Sequence, residues 1–257
     1  KTHDPLLSKF IRNIALHEKL RAGMKKYILD LFSISTKTDN QDLLVELLGI
    51  LGYMNTWKDV PFAQMIKQFN FVEFAYKHLV PGYCEDDIIL EIIIVLGTII
   101  VDEESATAIA KSPIIRNVCD LFAEKQEDDE MVQQLLYLFF KFLCFEDTRK
   151  SFLQHKPIIS CFVDLIQDNS ESISNLADAC IDIIIEYDSE WRHVLRKKKY
   201  EIYNEQWLRA VQDEEEQQHM AKTGNNDHHL HQEPESPAHH GSNEGDELQT
   251  WHVDDEQ

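Results

Sequence analysis

The chain has 257 residues, is 43% hydrophobic and carries a formal net charge of −21. That length and apolar content can build a large core, and 8 Gly with 7 Pro are few for an all-β protein of this size. So acidic a surface repels nucleic acid and anionic lipid; it suits basic protein partners or simple solubility, and no nucleic-acid partner is expected.

The opening KTHDPLLSKF has neither the apolar core nor the cleavage site of a signal peptide, and a chain that starts on Lys1 reads as a piece of a longer protein. Further on, EIIIVLGTII (91–100) imitates a buried strand, or the start of a membrane span. Asp102, Glu103 and Glu104 close it after ten residues, where a span needs about 20. No direct membrane insertion is expected, and the chain reads as soluble.

Self-comparison settles what that stretch is. DNQDLLVELLGILGYM (39–54) returns about 45 residues later as CEDDIILEIIIVLGTI (84–99), then as QEDDEMVQQLLYLFFKFL (126–143) and ESISNLADACIDIIIEYD (171–188). Between these copies runs a second phrase, in KKYILDLF (25–32), RNVCDLF (116–122) and CFVDLI (161–166), with Asp30, Asp120 and Asp164 in register. Periods of about 40 to 47 residues made of helices belong to armadillo and HEAT solenoids.

The predicted fold is therefore all-α: an armadillo-type solenoid, a right-handed superhelix of three-helix repeats. Acidic residues before each long copy suit a helix N-terminus. The third helix is apolar nearly all round because its own repeat and both neighbours enclose it. For one copy the helices are expected at Glu103–Ala110, Pro113–Glu124 and Asp129–Phe145, and Pro113 and Pro157 each open a second helix. Residues 1–188 form four repeats, the first partial; 189–212 form capping helices.

From Asp213 to Gln257 thirteen acidic residues stand against Lys222 alone, and the segment holds seven of the twelve histidines. It is expected to be a disordered acidic tail, in which His228, His229 and His231 are solvated rather than metal-bound. The five cysteines, Cys84, Cys119, Cys144, Cys161 and Cys180, form no CxxC and lie in apolar runs, so reduced, buried thiols are expected.

Neither a nucleophile motif, a zinc motif nor a phosphate-binding loop is present, and His17, His78, His155 and His193 are scattered over different repeats. No catalysis, cofactor or metal is expected. A partner would instead lie along the concave groove. Aligned third helices place Glu46, Gly49 and Tyr53, then Glu91, Ile94 and Thr98, then Gln134, Tyr137 and Lys141 on one helix face each. Tyr53, Ile94 and Tyr137 suit the groove and packing between repeats alike; Thr98 and Lys141 are expected in the groove. Arg196, Lys197, Lys198 and Lys199 make the basic run of the cap, read as a solvated face with a second contact surface as the alternative.

The run PGYCEDDIILEIIIVLGTII, then AKSPIIRNVCDLF, then QEDDEMVQQLLYLF, resembles the kinesin-associated protein family, the armadillo-repeat non-motor subunit of heterotrimeric kinesin-2. DPLLSKFIRNIALH and IDIIIEYDSEWRHVLRKKKYEIYNEQWLRAV fit the same family, so the resemblance covers about 1 to 212. It rests on EDD before the helix and EYD-x-EW after the last one, which general armadillo sequences lack. The N-terminal part of the family has no counterpart here, and no family motif follows Val211. The resemblance implies a cytoplasmic adaptor that binds the C-terminal tails of the two kinesin-2 motor chains. It also implies cargo or cargo-adaptor partners, intraflagellar transport, cilium assembly, and a place in the cytoskeleton and cilium. The basic run would then face an acidic stretch of a motor tail or of tubulin. The alternative is an armadillo scaffold or regulatory subunit of another cytoplasmic complex.

Overall fold

The apolar 3.6-residue periodicity is realised throughout: the computed structural model describes residues 4–56 and 60–224, and every regular element there is a helix. In chain order these are α1 (Pro5–Ala15), α2 (Glu18–Arg21), a 3₁₀ stretch (Ala22–Tyr27), α3 (Ile28–Ser35), α4 (Gln41–Gly52) and a 3₁₀ turn (Tyr53–Thr56). There follow α5 (Phe62–Gln68), α6 (Phe71–His78), α7 (Asp86–Ile99), α8 (Glu103–Ala110), α9 (Ile114–Glu124) and α10 (Asp129–Cys144). The chain continues through α11 (Glu146–Phe152), α12 (Lys156–Leu165), α13 (Glu171–Tyr187), α14 (Ser189–Tyr203) and α15 (Glu205–Gly224).

The acidic and polar residues cap α4 and α10 among the long third helices, while Glu85 before α7 and Ser170 before α13 make no side-chain cap. Asn40, Asp128 and Asp188 accept hydrogen bonds from the free N–H groups of Leu43, Met131 and Trp191, each cap worth about 1 kcal/mol. Asp102 and Ser105 cap α8 reciprocally. Pro113 is the N-cap of α9 and Pro157 lies in the first turn of α12, where no N–H is missed.

Four helix triplets result, ending in α4, α7, α10 and α13, and these third helices pack side by side. The isoleucines of α7 are enclosed by α4 on one flank, α10 on the other and α6 behind, so Ile88, Ile89, Ile92, Ile93 and Ile99 are all buried. Helix α10 also seats the next repeat: its Phe139 lies 4.9 Å from Phe152 of α11 and 5.9 Å from Phe162 of α12, centroid to centroid. One rung was not foreseen. Helix α1 packs on α4 as α4 packs on α7, so it is itself a third helix.

Two compact units divide the chain, 1–204 and 205–257. In the first, α14 packs on α13 and α12 with Leu195 as its buried anchor, and its outer side exposes Val194, Tyr200 and Tyr203 among charged residues. In the second, α15 carries regular structure past Asp213, where the sequence suggests the tail begins, to Gly224; a run of Glu and Gln favours a helix more than its charge opposes one. The rest of the expected tail, including His228, His229 and His231, lies outside the described residues. The cysteines are free, but only Cys119 and Cys180 are buried as expected; Cys84 and Cys161 are half-buried, and Cys144, at the end of α10, is exposed.

Candidate functional site

The third helices line one side of the stack, and the stripe each leaves uncovered is the candidate site. On α10 the direction is fixed by Phe139, which points at Phe122, Phe152 and Phe162. Tyr137 and Lys141, each about 200° around the helix from Phe139, project the opposite way. Gln134 shares this open side and is half-buried, as is Lys141; Tyr137 is 37% exposed.

Close approach of neighbouring third helices depends on one repeated small-to-large pairing. The Tyr137 ring lies 3.0 Å from where a Cβ on Gly97 would stand, and Ile94 comes within 2.7 Å of the same point on Gly52. Gly49 faces Arg12 in the same manner, with the sizes exchanged between the two helices. Tyr137 and Ile94 thus pack between repeats, and Tyr137 also keeps an exposed edge.

Electrostatics divide the face into three stations. At the first, Arg12 of α1 is ion-paired with Glu91 of α7 and lies 3.8 Å from Glu46 of α4. Glu91 is buried, which pushes its carboxyl above the usual carboxylate range despite the opposing pull of Arg12. At the last, Lys199 of α14 reaches Asp178 and Asp182 of α13 at 2.7 and 2.6 Å. Burial pulls the Lys199 amine down, but these two carboxylates outweigh it and hold the amine above its ordinary value. Between them lies Lys141, whose amine is 5.9 Å from the Phe145 ring centre and is pulled below its ordinary value by burial.

Three expectations need correction. Thr98 is not presented to a ligand: it is buried, its hydroxyl 2.9 Å from the Ile94 carbonyl and 3.1 Å from that of Gly52. A β-branched hydroxyl residue within a helix can satisfy itself on the preceding turn, and here it also ties α7 to α4. Glu91 is likewise not free but consumed by Arg12. The basic run is a solvated face only in part: Arg196, Lys197 and Lys198 are exposed, the last two 3.8 and 3.3 Å from Glu201, but Lys199 is built into α13. Tyr53 sits in the 3₁₀ turn after α4, half-buried, its carbonyl accepting from Arg21 at 2.6 Å. Arg12 was missed, though placing α1 against α4 and α7 sets it in the slot of Gly52 and Gly97. Among the described residues no group of three or more His, Cys, Asp or Glu is arranged to hold a metal, and no helix is long and apolar enough to cross a membrane. Asp30, Asp120 and Asp164 all face solvent.

Stacked three-helix repeats with an open third-helix face define an armadillo-repeat scaffold. A designed armadillo repeat protein superposes with a TM-score of 0.64 at 12% identity, over 79% of this chain and 84% of that one. Another, in complex with peptide (KR)4, gives 0.60 at 12% identity, over 75% and 80%. The family model described as kinesin-associated protein (KAP) matches residues 1–243, and the chain belongs to that family. The match runs past Val211, farther than the motifs legible by eye.

Proposed function

We propose that this chain is the adaptor subunit of heterotrimeric kinesin-2: it binds the C-terminal tails of the two motor chains and links them to cargo. Family membership and the armadillo-repeat fold support a kinesin-associated, non-catalytic adaptor role. The observation that carries the reading furthest is the open stripe of α10 and its neighbours, a polar and aromatic face on a rigid stack, suited to holding an extended or helical segment. The related fold that holds (KR)4 supports the use of such stacks for peptide recognition. On this reading the protein works in the cytoplasm, on the cytoskeleton and in the cilium or flagellum, in microtubule-based and intraflagellar transport and cilium assembly.

The test is capture. Immobilised chain is incubated with the two motor chains, intact and with their tails deleted. Tail-dependent retention of both is expected. Retention of neither would instead favour an armadillo scaffold or regulatory subunit of another cytoplasmic complex.

A further inference from the structure

In a protein with 46 acidic and 25 basic residues, an unclaimed cation on a binding face is informative. The acidic stations at either end are already answered from within the chain. Arg12 meets Glu46 and Glu91, and Lys199 meets Asp178 and Asp182. A basic peptide laid along the face would have to displace these cations.

The middle is the reverse. Among the described residues Lys141 has no carboxylate within ion-pairing distance; its neighbours are the Phe145 ring and the Cys144 thiol. Arg149, in the last turn of α11, donates to the Leu143 carbonyl at 2.8 Å and lies 4.0 Å from the Tyr187 ring centre, again without an ion pair among the described residues. Burial raises the exposed Cys144 thiol, while Lys141 and Arg149 both draw it down. Tyr137 borders this cluster on α10 and the exposed Tyr187 on α13.

A half-buried ammonium without an anion carries a desolvation cost that a partner carboxylate would relieve. Offered beside an aromatic ring, it selects the sign of what binds.

We infer that the central stretch of the third-helix face, centred on Lys141 and Arg149, receives a carboxylate-bearing side chain of an acidic peptide, with Tyr137 and Tyr187 holding the apolar groups beside it. The preference is opposite to that of the related fold solved with (KR)4. It rests on the reading of this face as the partner-binding groove.

The experiment uses the full chain and two fluorescent octapeptides, alternating Glu-Tyr and alternating Lys-Tyr, followed by anisotropy. The Glu-Tyr peptide is expected to bind about tenfold more tightly at low salt, with the margin shrinking as salt rises. Lys141→Met keeps the aliphatic packing and should weaken Glu-Tyr binding about tenfold; Lys141→Glu should abolish the preference. Lys111→Glu, on the exposed end of α8, should change neither affinity. Thermal melts of each variant verify that the fold is retained. Tighter binding of Lys-Tyr, no binding of Glu-Tyr by the unaltered chain, or unaltered affinity in Lys141→Met would each overturn the inference. Motor-chain capture on the same samples separates the two readings. Capture alongside an unaltered Lys141→Met affinity removes the acidic-peptide inference alone, and absence of capture removes the adaptor reading.

Discussion

Tyr137 fills the space that a side chain on Gly97 would need, its ring 3.0 Å from the missing Cβ. The Leu-Gly phrase of the repeats therefore has a steric cause: α7 and α10 meet at the distance set by one glycine and one large residue. Gly97→Leu should destabilise the protein by about 1–3 kcal/mol, because the added atoms must push Tyr137 or part the helices. In a Tyr137→Ala background the same change should cost much less. Urea midpoints of the four proteins give the coupling directly, and purely additive effects would mean that the two residues do not share this space.

The bond from Arg12 to Glu91 leads to a pH-dependent prediction. Removing the guanidinium leaves a buried carboxylate without its cation, a change of about 3–5 kcal/mol in comparable cases. Arg12→Met should therefore be strongly destabilising at neutral pH. Glu91 already titrates above the usual range because of burial, and loss of Arg12 moves it higher. A carboxyl whose folded pKa is raised contributes stability that is present below the unfolded pKa and lost as pH rises through the folded one. Arg12→Met should accordingly recover stability on acidification from neutral pH toward the usual carboxylate range, whereas Arg12→Met with Glu91→Gln should show no such recovery. Thermal melts across that window measure it.

Accessible and enclosed thiols should separate under alkylation. Cys144 is exposed at the end of α10 and should be modified first in the native protein. Burial raises its thiol above the ordinary value of 9.0, so its rate should still climb as pH passes that point. Cys119, pushed up to about 12 by burial, and Cys180, fully enclosed against α10, should react only after denaturant is added. Mass spectrometry of iodoacetamide-treated protein reads each site, and native labelling of Cys180 ahead of Cys144 would contradict the packing of α13 on α10.

The fold was legible because repeat periodicity outweighs local propensity. EIIIVLGTII favours a strand residue by residue, yet its copies put Gln, Lys and Ala in the same slots, and α7 is a helix from Asp86 to Ile99. The helices of the third repeat were placed almost to the residue for the same reason. The site was harder to read, since a repeat alignment gives the face of a residue but not the reach of its neighbours. Helix angle alone puts Thr98 and Glu91 on the expected face of α7, yet both are buried there. What the sequence hid was that Gly52 brings a carbonyl to Thr98 and that Arg12, about 80 residues away, arrives at Glu91. Lys141, half-buried, meets no such partner among the described residues.

The four-residue basic run offers a test that separates structural from surface charge. Lys199 lies between Asp178 and Asp182, at 2.7 and 2.6 Å, with its side chain 17% exposed, whereas Lys197 and Lys198 pair only with Glu201 on the outer face of the same helix. Lys199→Glu puts a third carboxylate beside two others and removes the cation that docks α14 on α13. A loss of about 2 kcal/mol is expected, with faster amide hydrogen exchange in α14 and the C-terminal half of α13 before the rest of the stack. Lys197→Glu and Lys198→Glu, being exposed, should each change stability by less than about 1 kcal/mol. If Lys199→Glu leaves exchange in α14 unaltered, the cap is held by Leu195 and its apolar neighbours alone, and the ion pairs with α13 add nothing to its docking.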